Sequence, residues 1–406
     1  MVWYEKLGSF AAILYELRTL SHVRIGSGEN IKLPTPIDNP QTRILRLEPG
    51  KAEGKWVVYI PASSLHGVLR STLEDYMRTQ LSPYDNKTVK DLKKDLENAN
   101  VKNVNVEGWK SFLERVGSYS ESIPGFDELP LYREVCYTTL EFDACQVPPA
   151  SAAKKYYLTS IVGRMDSNEA HLPCFVCQLF GATGLRGRVR ILNAYPSKET
   201  METLPLDVIT RVGINRVTGA AEEGRLFDLE AIPPGAAFYF FVVINNAFER
   251  VKLHYDPQDS QRCKEEERYK QYKEGLGVDE DLNYIALFEK SVELVSKGLV
   301  PIGAHGTVGF GNVEITELAR FETRDEKTTR EFIKVLTKRV SFTGNELRDE
   351  LLKINEKYSQ EGKDILKVKS DKIPDLDDSL YPWLARKLAE LARSKLSKSQ
   401  QSGASG

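Results

Sequence analysis

The chain has 406 residues, of which 41% are hydrophobic and 28% charged, and its formal net charge is −2. That is enough apolar material for one elaborated domain or two, and it excludes a polycation, so any nucleic-acid contact must come from a local basic surface. No apolar leader and no run of roughly 18 apolar residues occurs, so a soluble, cytoplasmic protein without a membrane partner is expected. Five cysteines are too few and too unevenly placed for a disulfide scaffold.

Phe10–Leu17 reads as a first strand, broken by the loop Ile25-Gly26-Ser27-Gly28-Glu29. Residues 26–46 are polar and carry Pro34, Pro36 and Pro40, hence a structured loop. Trp56–Ile60 is a strand that runs through Pro61-Ala62-Ser63-Ser64 into a helix reaching residue 80. Ser63 or Ser64 is expected to cap that helix. Its free amides, with Arg70 two turns in, make an anion site, and the plain alternative is an ordinary capped helix.

Residues 81–177 read as a largely helical insertion carrying four of the cysteines. Within it, His171, Cys174 and Cys177 have the spacing of half a zinc knuckle. Cys136 or Cys145 would complete a closed, structural zinc site; buried free thiols are the alternative. Leu185–Tyr195 and Ala236–Ile244 are expected strands. In the first, Arg186, Arg188 and Arg190 fall on one face by period-two alternation, giving either a phosphate-facing stripe or a solvated face.

The stretch 251–281 is highly charged. Leu282–Lys297 has helical apolar periodicity and ends at Gly298. Four glycines then fall within Gly303–Gly311, a loop that needs positive φ or close backbone approach. The order helix, loop, strand excludes a dinucleotide fingerprint, and no Gly-Lys-Ser/Thr end marks a P-loop. Exposed amides against phosphate are one reading; a tight connection is the other. Residues 326–358 and 378–397 are amphipathic, with Leu384, Leu388 and Leu391 on one face, and 399–406 is a flexible tail.

Five blocks in order carry a resemblance: His22–Gly28, Ile60–Arg70, Cys177-Gln178-Leu179-Phe180-Gly181, Ile214–Phe238 and Gly303–Gly311. Together they resemble the RAMP superfamily of CRISPR proteins, and more closely the backbone, guide-binding subunit of type III effector complexes. The departures are Ala62 and His66, where the family's helix start usually carries Gly and Lys.

The resemblance implies an α+β fold with a modified ferredoxin-like (RRM-like) sheet over 8–80 and 178–320. The residues themselves add a helical insertion with a candidate zinc site at 81–177, a charged insertion at 251–281 and a C-terminal helical extension at 321–398 without a family counterpart. The resemblance implies that Gly26, Ser27, Gly28, Ser63, Ser64, His66, Arg70, Arg186, Arg188, Arg190, Gly303, His305 and Gly306 face CRISPR RNA. The block at 214–230 would be a thumb hairpin that uses Arg216 and Thr218, with a small tip at Gly219, Ala220 and Ala221 and a basic base of Arg211, Arg216 and Arg225. Asp38 matches the loop aspartate that cuts target RNA with a divalent cation, magnesium. Arg43 and Arg46 would grip target phosphate or form surface ion pairs. The implied partners are CRISPR RNA, target RNA and other effector subunits, including further backbone-type copies. A non-catalytic structural or capping subunit, and a guide-processing endoribonuclease, are the competing readings.

Overall fold

The structure is a computed structural model that describes residues 6–26, 40–47, 54–81, 88, 90–91, 94, 128, 135–136, 173–182, 185–253, 262–279, 281–337 and 344–403. The strands in chain order are β1 (Phe10–Thr19), β2 (Arg43–Leu47), β3 (Gly54–Val58), β4 (Gly181–Ala182), β5 (Leu185–Arg186), β6 (Val189–Ile191), β7 (Asp207–Ile214), β8 (Ala221–Ala231), β9 (Ala237–Asn245), β10 (Val313–Thr323) and β11 (Leu366–Val368). The helices are α1 (Ala62–Gln80), α2 (Phe175–Phe180), α3 (Arg262–Gly275), α4 (Tyr284–Ser296), α5 (Glu326–Thr337), α6 (Gly344–Gln360) and α7 (Trp383–Gly403).

The chain divides into two compact units. One is drawn from Arg70–Val189 and Phe248–Lys290, the other from Lys6–Leu69, Arg190–Ala247 and Ser291–Gly406. The second holds a five-stranded sheet in the order β11-β10-β1-β9-β6. β1 is an almost unbroken apolar run, buried on both faces, which suits a central strand. It pairs antiparallel with β10 (Phe10↔Thr323, Thr19↔Val313) and with β9 (Phe10↔Asn245, Arg18↔Ala237).

One face of this sheet is closed by the C-terminal segment. Phe10, Leu14, Phe241 and Phe321 pack with Phe332 of α5, Tyr358 of α6 and Leu388 and Leu391 of α7. The helical face predicted at Leu384, Leu388 and Leu391 therefore packs on the core, with Trp383 and Leu384 partly buried at its edge. Asp325 starts α5 by accepting from the Thr328 amide at 2.9 Å, and that bond holds its carboxyl below the ordinary value. β11 lies in a stretch read as helical, and α7 runs to Gly403, into the stretch read as tail.

In the first unit the charged stretch forms α3, whose Tyr272 meets Phe175 edge-on at 5.7 Å. The single strand expected at Leu185–Tyr195 is interrupted. A Cβ on Gly187 would sit 2.4 Å from the Phe180 carbonyl oxygen, and the Arg188 amide bonds the Leu179 carbonyl at 2.8 Å. The chain is drawn onto α2 there, which divides β5 from β6.

Candidate functional site: a basic glycine loop and a cysteine cluster

In the second unit, residues 22–26 lie against the glycine loop. Val23 and Ile25 are buried, so period-two alternation turns His22 and Arg24 the other way. The Arg24 carbonyl accepts from the Ala304 amide at 2.8 Å, and the His22 carbonyl accepts from the Gly311 amide at 2.8 Å. Gly303 has φ +84, and a Cβ there would lie 2.3 Å from the Arg24 oxygen, so only glycine permits this approach. His305 itself takes a left-handed conformation (φ 65) ahead of a single 3-10 turn, Gly306–Val308.

Phe310 is the centre of the cluster. The Arg211 guanidinium lies 4.9 Å from its ring centroid. The His22 and His305 rings stand 5.5 and 5.8 Å away. Burial lowers the Arg24 pKa, and burial together with Arg24 and Arg211 lowers that of His305. The imidazole is thus neutral at pH 7 beside two guanidinium groups. The Arg211 Nε is buried without a hydrogen-bond partner among the described residues. Two positive side chains beside a glycine-opened backbone suit a polyanion, whose phosphates would answer their charge and accept from the Arg211 Nε.

The hairpin β7–β8 grows from this point. Leu229 and Ala231 pack with Phe310, and Ile209 and Phe227 lie against them. The opposite face carries exposed apolar side chains beside the Thr210–Asp228 hydrogen bond: Val208 and Leu226 are 55% and 68% exposed, and Val217 at the tip is 94% exposed. The tip is built by Asn215, whose side-chain oxygen accepts from the amides of Val217 (2.9 Å) and Thr218 (3.2 Å). Gly219 there has φ 68. Arg216 therefore sits at the tip, not the base. Arg225 is paired with Glu222 at 2.9 Å, and of the three arginines expected at the base only Arg211 is gathered onto Phe310.

Gly26 forms a bridge with Gln41, and the Thr42 hydroxyl donates to the carbonyls of Ile25 (2.8 Å) and Gly26 (2.7 Å). The two ends of the segment 27–39 are therefore joined at a stem beside the glycine loop. Ser27, Gly28 and Asp38 lie outside the described residues. Arg43 and Arg46 are committed inward rather than to the surface. Arg43 bonds the buried Glu230 at 2.8 Å, and Arg46 bonds the buried Asp377 at 2.7 Å.

The expected cap of α1 is corrected. The helix begins at Ala62, whose amide donates to the Asn193 side chain at 2.8 Å, while the Ser64 and Leu65 amides bond the Pro61 carbonyl. Ser63 and Ser64 thus lie inside the first turn, and part of the predicted anion site is already used. His66 is half-buried. The arginine stripe is also corrected. Arg186 and Arg190 are exposed, but Arg188 is 2% exposed, 4.1 Å from the Tyr284 ring centroid and 3.3 Å from Glu249. A burial-driven aromatic and ionic partner, remote in sequence, withdraws it from any phosphate.

In the first unit, Cys136, Cys174 and Cys177 are buried and their sulfurs lie within 4.8 Å of one another. The Cys136–Cys177 and Cys174–Cys136 separations are 3.6 and 3.7 Å. A disulfide needs about 2.05 Å, whereas a tetrahedron with Zn–S near 2.3 Å has edges of about 3.8 Å. The three thiols fit a zinc ion. Cys174 precedes α2 and accepts from the Cys177 amide, so the Cys-x-x-Cys pair is preset by the helix start. The neighbouring Gln178 is structural: its side chain bonds the carbonyls of Pro173 and Lys252, the Lys252 amide and the Tyr284 hydroxyl. Cys145 and His171 lie outside the described residues.

Arg70 belongs to this cluster and not to an RNA face. It donates to Glu74 (2.9 Å), the Gly181 carbonyl (2.8 Å) and the Cys177 sulfur (3.2 Å). Burial alone would lower its pKa, but Cys177 and Glu74 raise it above the ordinary value. Sequence reasoning passed over Arg24 and Phe310; the alternation of 22–25 was the available signal for the first.

No helix among the described residues is long and apolar enough to cross a membrane. No curated protein matches the chain. A family profile described as the RAMP superfamily matches residues 16–314, from within β1 to the start of β10. That span takes in the glycine loop, the hairpin and the cysteine cluster, and points to a CRISPR-associated, RNA-binding subunit. The chain belongs to the RAMP superfamily.

Proposed function

We propose that this chain is the CRISPR RNA-binding backbone subunit of a type III RNA-guided interference complex. The observation that carries the reading is the gathering of Arg211, His22 and His305 around Phe310, with Arg24 near enough to act on His305, at a loop whose glycines press backbone against residues 22–25. Guide phosphates lie on that loop, with the ring and the two guanidinium groups beneath them. Contact is by backbone and shape, and pairing of the bases reads the sequence. The strand order β10-β1-β9-β6, with α1 between β3 and β6 and α4 between β9 and β10 in chain order, supports the modified ferredoxin-like reading. The exposed apolar face of β7–β8 suits a thumb that enters the guide–target duplex and parts its bases.

Asp38 is the residue we assign to target cleavage, with magnesium as the divalent cation. The stem at Gly26 and Gln41 supports this by fixing both ends of its segment beside the guide-binding loop. A structural zinc on Cys136, Cys174 and Cys177, with His171 as the fourth donor, holds the insertion in place. The test uses the assembled complex with guide RNA and labelled complementary RNA. Asp38→Ala is expected to abolish one or more cuts while leaving target affinity unchanged. Full cutting by that variant removes Asp38 from the chemistry and leaves a structural subunit. Cutting of precursor guide RNA by the isolated chain would instead make it a processing nuclease.

A further inference from the structure

The cysteine cluster has a cationic support that the RNA-binding reading does not use. Arg70, Glu74 and Arg78 stand at i, i+4 and i+8 on α1, so they form one line along the helix. Arg70 directs its three kinds of N–H to three targets: Nε to Glu74, Nη1 to the Gly181 carbonyl and Nη2 to the Cys177 sulfur. Arg78 donates to the Cys136 carbonyl at 2.7 Å, and its guanidinium lies 3.6 Å from Glu74. Glu74 is 5% exposed and lies between the two guanidinium groups. Arg78 is also paired with the exposed Asp75 at 2.9 Å, so Arg70 is the guanidinium of this line that meets a sulfur.

The Arg70 guanidinium, in direct contact with the Cys177 sulfur, has the sign opposite to that of a loaded site. Zinc with three thiolates and one neutral donor has a net charge of −1, and a buried charge without a partner is costly. The N–H···S bond also withdraws electron density from Cys177 and fixes its direction. Glu74 and the Gly181 carbonyl fix the guanidinium in turn, so its plane has little freedom to turn away. Neither lysine nor a neutral side chain reproduces all three contacts.

From this geometry we infer that Arg70 is a positioning residue for the metal, an outer-sphere partner that sets how tightly zinc is held. The inference rests on the zinc reading given above. Outer-sphere partners of this kind typically change metal affinity by about 10–100-fold when removed.

The full-length chain is loaded with zinc and titrated against a chromogenic chelator. Arg70→Met is expected to lower zinc affinity by about 10–100-fold, and Arg70→Lys to recover part of the loss because it keeps the charge. In cobalt-loaded protein, Arg70→Met is expected to move the sulfur-to-cobalt charge-transfer band to lower energy, since the thiolate loses its donor. Arg70→Gln serves in place of Arg70→Met if the latter does not fold, with the same expected direction. A neutral variant that holds zinc as tightly as wild type overturns the inference, even if its melting temperature falls, because the arginine would then only pack. Wild-type protein that takes up no zinc overturns the zinc reading itself, and the inference with it.

Discussion

Replacing Arg211 by Ala separates RNA binding from folding. In the free protein its guanidinium is held mainly by the Phe310 ring, 4.9 Å away, and its Nε has no partner among the described residues. Losing a half-exposed cation–π contact costs about 0.5–1 kcal/mol, so the variant stays folded. A charge-assisted bond to phosphate is worth about 1.5–3 kcal/mol, which corresponds to roughly 10–150-fold in affinity. One fewer neutralised phosphate on single-stranded RNA also lowers the slope of log K against log salt by about 0.7. Fluorescence anisotropy with a guide-length RNA, repeated over a salt series, reads both quantities. Arg211→Lys should keep the slope and lose part of the affinity. An Arg211→Ala variant with wild-type affinity and wild-type slope refutes the placement of the guide on this loop.

Further expectations concern His305 and Arg46. His305 has a depressed pKa in the free fold, and a phosphate nearby would raise it, so RNA binding takes up a proton. Affinity is therefore expected to rise as pH falls below neutrality, by at most about tenfold per unit, and His305→Gln should flatten that dependence. The same depressed value means that the stability His305 contributes is present above its unfolded pKa and lost as pH falls through the folded one. Anisotropy and thermal melts over the same pH series check the two opposite signs. Arg46→Met leaves Asp377, which is 2% exposed, with Ser379 but without its positive partner, and should cost about 3 kcal/mol by chemical denaturation. The Asp377 carboxyl is held below its ordinary value, against the opposing effect of burial, by Ser379 and Arg46. Its contribution is present above the unfolded pKa and is lost as pH falls through the folded one, so the wild-type advantage over Arg46→Met should shrink in strong acid.

The parts of the molecule that were legible in the sequence are those set by local pattern. The β1 run, the start of α1 after Pro61, the helix ending at Gly298 and the glycine loop all follow from periodicity and backbone geometry. What was misread depends on partners distant along the chain. Arg70 and Arg188 look like phosphate ligands in a window of ten residues; Cys177 and Tyr284, each about a hundred residues away, claim them instead. Arg43 and Arg46 repeat the pattern with Glu230 and Asp377. β11 is three residues long and acquires its state only by pairing with Ala319–Phe321 of β10, which no local propensity encodes. Cys136 carries no local signal that marks it as a ligand, yet among the described residues it is the cysteine that folding brings to the Cys-x-x-Cys pair.

The stem formed by Gly26, Gln41 and Thr42 joins the two ends of the segment 27–39. Chain-closure entropy grows only slowly with length, so the scaffold should tolerate an exchanged or lengthened insert there. A stem of this kind makes a cassette site, where selection can retune what is inserted without renegotiating the five-stranded sheet.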